Sequence, residues 1–173
     1  AAEALAARHG FRHARFFWRM ERPQGAPPPI EWPPGVEVRA FDGSETALED
    51  WNRVYNESFA EHYHFFLSSV DYCRSITEGS EFCPDGLLLA HREWRCVGFC
   101  RCAIHSSRGE VEILGVVPEA RGTGLGRALL RWCVGWLERA DALSVTLIAD
   151  GENEAALGLY RHEGFEVART REV

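Results

Sequence analysis

Between Val116 and Leu130 an apolar run breaks at Pro118. It then passes three alternating glycines, Gly122, Gly124 and Gly126, and opens into an apolar stretch at helical spacing. Proline cannot donate to a strand ladder, so the strand ends there. Glycines admit the left-handed backbone of a tight turn and let another molecule approach the main chain closely. A strand feeding a glycine turn and then a helix is an α/β feature. The N-terminus of that helix presents N–H groups and a positive dipole end, which suits a pyrophosphate at roughly 0.3–1 kcal/mol per favourable charge. Arg121 and Arg127 add full charges beside it.

The rest of the chain arranges itself around this turn. Val36 to Phe41 alternates like a strand, and Glu45 to His62 carries Leu48, Trp51, Tyr55 and Phe59 at spacings of three and four, which predicts an amphipathic helix. A shorter helix is expected around Leu67 to Glu78. Strand-like runs at Gly86 to Arg92, Arg95 to His105 and Glu110 to Val117 are joined closely enough for antiparallel hairpins. After the turn the pattern alternates: helix Gly124 to Ala140, strand Leu143 to Ala149, helix Asn153 to Glu163, strand Phe165 to Glu172. That alternation implies parallel crossover geometry, hence a mixed sheet with an antiparallel first half.

The segment from Pro23 to Gly35 holds six of the chain's eight prolines and reads as an extended linker. Glu3 to Phe11 can be set beside Leu157 to Phe165, since both are helix ends closed by Gly-Phe, with Ala6 opposite Tyr160. Two readings stay open: common helix-to-strand punctuation, or residues 1–22 as the tail of a preceding related domain, followed by a linker at 23–35 and a catalytic domain at 36–173. Under the second reading the leading strand sits at a sheet edge, held off the main domain by the linker, and its Phe16, Phe17 and Trp18 favour a homodimer or packing against a related domain.

Twenty-six acidic against 19 basic residues give a net charge of −7, which repels a nucleic-acid backbone and favours a cationic small molecule. No run of about 18 apolar residues is present to span a bilayer, and a cytoplasmic location is expected. The six cysteines include no Cys-x-x-Cys pair; Cys96, Cys100 and Cys102 share parity on one strand and read as small buried hydrophobes. The histidines lack zinc-enzyme spacing, so no metal is called for.

The turn lacks the Gly-Lys-Ser/Thr of a P-loop and the G-x-G-x-x-G of a dinucleotide fold. Arg121-x-x-Gly124-x-Gly126 resembles the R/Q-x-x-G-x-G/A signature of the GNAT acetyltransferase superfamily. About 27 residues on, Asn153-x-x-Ala-x-x-x-Tyr160-x-x-x-Gly-Phe165 resembles a second segment of the same family. The likeness covers Val36 to Val173, while the leading fragment and linker resemble the junction inside tandem members. The resemblance implies a mixed, strongly twisted sheet with a parallel pair splayed at the cofactor site and flanking helices. It also implies acetyl-CoA as acyl donor and direct acetyl transfer to a primary amine of a small acceptor in a ternary complex. The alternative is a non-catalytic acyl-CoA-binding regulatory domain.

By the same resemblance the pyrophosphate falls on Arg121, Gly122, Thr123, Gly124, Leu125, Gly126 and Arg127. Backbone groups of Val116 and Val117 are then left free for the pantetheine arm and the acetyl carbonyl, Asn153 touches the CoA arm, and Tyr160 protonates the leaving thiolate. A primary amine is neutral in only roughly one molecule per thousand at pH 7, so a base is needed. Glu112 is the first candidate, with Glu110 or a water chain as alternatives. His62, Tyr63, His64 and Phe66 are expected to shape the acceptor pocket.

Overall fold

The described residues of the computed structural model are 8–9, 15–63 and 65–172. They form, in order, β1 (Phe16–Pro23), β2 (Val36–Ala40), α1 (Glu45–Phe59), α2 (Val70–Thr77), β3 (Leu87–Arg92), β4 (Arg95–His105), β5 (Arg108–Val116), α3 (Leu125–Arg139), β6 (Ser144–Asp150), α4 (Glu154–His162) and β7 (Glu166–Glu172). The chain divides into two compact units: Pro23–Val145, and Ala1–Arg22 with Thr146–Val173. Element types follow the sequence reading. Bounds differ at helix ends, where capping decides. Ser44 and Ser69 accept from Ala47 N and Tyr72 N and so start α1 and α2, whereas α1 stops at Phe59, short of His62.

In the larger unit the strand order is β2-β3-β4-β5, all antiparallel. The hairpins turn at Glu93 and Ser106, with left-handed φ of 58° and 63°. Residues alternate between faces. Phe99 stacks toward Trp51 of α1, with ring centroids 6.4 Å apart. Its neighbour Gly98 lies under α3, where a Cβ would come within 3.0 Å of Leu125. Helices α1 and α3 therefore cover opposite faces of β4 and β5. The proline-rich segment is extended, as expected, but it is not held clear of the domain. It runs along α3, with Gly25 N donating to Glu138 Oε1 (2.9 Å) and Arg131 Nη1 donating to Pro29 O (2.9 Å).

The smaller unit corrects the expectation of a leading strand at a sheet edge. Its strand order is β6-β1-β7, with β1 in the middle and antiparallel to β7 from Phe16↔Glu172 to Glu21↔Glu166. Met20 is fully buried, Gly151 N donates to Phe16 O (2.8 Å), Arg15 pairs with Asp150 at 3.3 Å, and Arg22 Nε donates to Glu163 O (3.1 Å) at the end of α4. A run of alternating apolar residues announces a strand but not its neighbours, and here the neighbours lie more than 120 residues away. The earlier Gly10-Phe11 pair, on which the internal repeat rests, lies outside the described residues.

Met20 fills a closed site, so Met20→Ala is expected to destabilise the chain by about 2–5 kcal/mol, with Met20→Leu costing less than about 1.5 kcal/mol. Urea unfolding followed by fluorescence and circular dichroism measures both; an Ala variant as stable as the parent would show that β1 contributes no core.

Candidate functional site

The glycine turn lies where β5 gives way to α3. A single 3-10 turn at Pro118–Ala120 ends the strand. Gly122 and Gly124 then take left-handed φ of 74° and 91°, with no atom within 4 Å of a Cβ at either position. Gly124 is the N-cap of α3 and no side chain caps that end, so the N–H groups of the first turn are not claimed by a capping residue. Residues 121–124 are exposed, Leu125 is buried, Gly126 is partly buried and Arg127 is exposed. The Thr123 hydroxyl donates to Ala120 O (2.8 Å), which tightens the loop. The backbone thus forms an open, electropositive cradle that fits an anionic diphosphate.

Two predicted features differ in detail. The Val117 N–H donates to Val97 O (3.1 Å), and Val116 O accepts from Arg121 Nε (3.3 Å), so these two backbone groups are already engaged. The Arg121 guanidinium is turned to α1, donating to Ser58 O (2.9 Å) with Glu61 at 3.6 Å.

Glu112 owes its position to a bulge. Arg101 pairs with Ile113 but Cys102 pairs with Val111, so Glu112 is the extra residue on β5, and such a residue is re-aimed by the local kink. Its carboxylate lines a cleft of about 340 Å³ together with Ser80, Glu81, Cys83, Arg101 and Cys102. Arg101 Nε sits 2.7 Å from Glu112 Oε2, an ion pair whose N–H is not aligned for a hydrogen bond. The other oxygen faces His105 Nε2 at 3.8 Å, and His105 Nδ1 is 3.9 Å from Glu81. Glu110 pairs with Ala103 further along the ladder and is not among the cleft residues.

Arg101, His105 and Glu81 were missed from sequence. The parity of Arg101 and His105 on β4, opposite Glu112, was the available signal. The residues expected to shape the acceptor pocket do not line this cleft. Tyr63 and Phe66 are exposed on the loop after α1 and His62 packs on Phe59, with none among the cleft residues. His64 lies outside the described residues.

In the other unit, Asn153 caps α4, its Oδ1 accepting from Ala156 N (3.1 Å). Tyr160, half-buried near the end of α4, meets Phe165 edge-on with centroids 6.2 Å apart. Gly164, at φ 87°, closes the helix, and Phe165 N donates to Tyr160 O (3.0 Å).

A model of the acetyltransferase (GNAT) family matches residues 46–165. Among curated proteins, the chain is 36% identical to the mycothiol acetyltransferase of Thermobispora bispora over 95% of its own length and 58% of that protein. It is 37% identical to the mycothiol acetyltransferase of Thermomonospora curvata, over 95% and 56%. The chain thus spans little more than half the length of these relatives. A solved GCN5-related N-acetyltransferase from Sphaerobacter thermophilus superposes with TM-score 0.86 at 28% identity, covering 99% of this chain and 54% of that one. The mixed α/β fold is therefore the one the glycine turn implied. The Escherichia coli ribosomal-protein-S18-alanine N-acetyltransferase, with TM-score 0.63 at 20% identity over 78% of this chain and 79% of that one, shares the fold.

The cysteines are all free, and five of the six are buried. Burial pushes the Cys96 thiol up to about 12 and also raises Cys100 and Cys133. Cys102 is raised by its hydrogen bond with Cys133 and by burial. Only thiolates react with disulfide reagents. In native protein at pH 8 such a reagent is expected to titrate Cys83, at the cleft, and to reach the others only after unfolding. Rapid native labelling that survives Cys83→Ser would contradict this burial.

Proposed function

The chain belongs to the acetyltransferase (GNAT) family, and on that premise we propose that it transfers acetyl from acetyl-CoA to a primary amine of a small acceptor, directly and in a ternary complex. The observation that carries this reading is the glycine cradle, with two left-handed, unobstructed glycines before a helix start that no side chain caps. Acetyl-CoA supplies an activated thioester. The backbone N–H groups of residues 122–127 hold its pyrophosphate, and Arg127 adds charge.

The acceptor amine enters the cleft at Glu112. Freeing a primary amine of its proton at pH 7 costs about 4–5 kcal/mol, and Glu112 takes that proton while Arg101 fixes one of its oxygens. Glu81 and Glu112 together favour a cationic group there. Attack on the thioester carbonyl expels the thiolate of CoA, to which Tyr160 delivers a proton, and Asn153 steadies the start of its helix. The name carried by the relatives makes mycothiol-type molecules the first acceptors to test. A regulatory domain that only binds acyl-CoA would have no use for a carboxylate set in a cleft by a bulge.

A Cβ at Gly124 meets nothing within 4 Å, so the cost of Gly124→Val is chiefly that of a β-branched residue at positive φ, about 1–3 kcal/mol, and a folded protein is expected. Calorimetry is expected to show acetyl-CoA binding to the parent and none to the variant; unchanged affinity in a folded variant removes the cradle assignment. Tyr160→Phe and Glu112→Gln are each expected to keep acetyl-CoA affinity and lower turnover by about 100-fold or more. A loss confined to acetyl-CoA affinity would make Tyr160 a packing residue, and full activity in Glu112→Gln would pass the base role to a water chain.

A further inference from the structure

Helix α1 ends with four carbonyls that have no helical partner, and its own last turn contains no basic residue. The cation at that end comes from the glycine turn, 63 residues on. Arg121 Nη2 donates to Ser58 O at 2.9 Å, in the last turn of α1. Its Nε reaches back to Val116 O at the end of β5 (3.3 Å), and its Nη1 faces Glu61 at 3.6 Å. Two of the guanidinium nitrogens therefore donate hydrogen bonds to backbone carbonyls, and the third faces a carboxylate. Turning them to a phosphate would break two hydrogen bonds and uncover a helix C-terminus that favours positive charge.

The loop after α1 is fixed at both ends. At its far end Asn56 bonds Ser68 twice, accepting from Ser68 N (2.8 Å) and donating to Ser68 O (2.9 Å). At its near end His62 N donates to Phe59 O (2.9 Å), one residue beyond the carbonyl that Arg121 holds. Between these anchors the loop carries Tyr63, Phe66 and Leu67, which are 45%, 78% and 82% exposed. The near anchor adjoins the carbonyl that Arg121 of the donor turn holds, and the far one belongs to α1 itself, so a shift of the turn is passed to the loop at Ser58.

We propose that Arg121 is a positioning residue, which buckles the glycine turn to the C-terminus of α1 and so couples occupancy of that turn to the order of residues 60–63 and 65–68 in the loop after α1. This rests on the reading of the turn as the acetyl-CoA pyrophosphate site. A residue that acts in this way contributes to acetyl-CoA binding through the shape of the turn and not by touching the ligand. Lysine keeps the charge but cannot span two carbonyls as the planar fork does, so Arg121→Lys separates the two roles.

The experiment measures acetyl-CoA affinity by calorimetry at several salt concentrations, and amide hydrogen exchange of residues 57–68 with and without acetyl-CoA, in the parent, Arg121→Lys and Arg121→Met. In the parent, acetyl-CoA is expected to slow exchange across the loop. Both variants are expected to lose that slowing, to exchange faster at 59–62 without ligand, and to keep the parent's salt dependence. Three results overturn the proposal: no effect of acetyl-CoA on the parent's loop, undiminished slowing in Arg121→Lys, or an affinity loss of about tenfold or more in Arg121→Met together with a salt dependence clearly weaker than the parent's, which marks a direct phosphate contact. If acetyl-CoA does not bind the parent, the cradle reading fails and the coupling falls with it. Faster exchange at 59–62 in both unliganded variants would then still identify the buckle on its own.

Discussion

A helix that starts on glycine has to satisfy its first N–H groups without a side chain of its own, and the organisation of the larger unit follows from that. A serine or aspartate at position 124 would have capped α3 and closed the cradle. Glycine leaves it open and adopts the φ of 91° that the approach from Ala120 requires. Once the start of α3 is fixed, its apolar side settles over Gly98, where a side chain would collide with Leu125 and Leu129. On the opposite face α1 closes on Gly115, whose missing side chain admits Ser58 and Phe99. The turn is held between two close approaches that only glycine permits.

The fold was legible where a residue type imposes a backbone state. Proline at 118, glycines at 122 and 124 and the spacing of Leu48, Trp51 and Tyr55 each act locally, and each stands where the sequence implied. What escaped was pairing over distance. Nothing in Phe16 to Pro23 says that this strand has β6 on one side and β7 on the other, because alternation encodes a buried face and not a partner. The same limit applies in the site. Arg121 was read as a charge for phosphate because its neighbours are glycines, yet its hydrogen-bond partners, Ser58 and Val116, come from α1 and β5.

Glu112 shows the intermediate case. The residue was singled out from its strand and its chemistry, but its separation from Glu110 depends on a register shift between Arg101 and Cys102. In an unbroken strand the two glutamates, two residues apart, would face the same way. The bulge makes them different, placing Glu112 in the cleft against Arg101 and His105 and leaving Glu110 in the ladder. Sequence parity alone cannot reveal a bulge, since the extra residue is defined only by the partner strand.

The two halves of the proposed reaction therefore call on different kinds of structure. Donor recognition needs backbone N–H groups and a dipole, which glycines and a helix start provide in any sequence that can make the turn. Its signature is short and easily recognised. Acceptor recognition needs side chains of particular charge at particular angles, and here Glu81, Arg101, His105 and Glu112 are brought together from a loop, a strand and a bulge. Such a set changes with a single substitution while the fold and the cradle persist. Family membership accordingly constrains the proposed donor chemistry more tightly than the acceptor, and the physical reason is that the groups gathered at Glu112 are side chains.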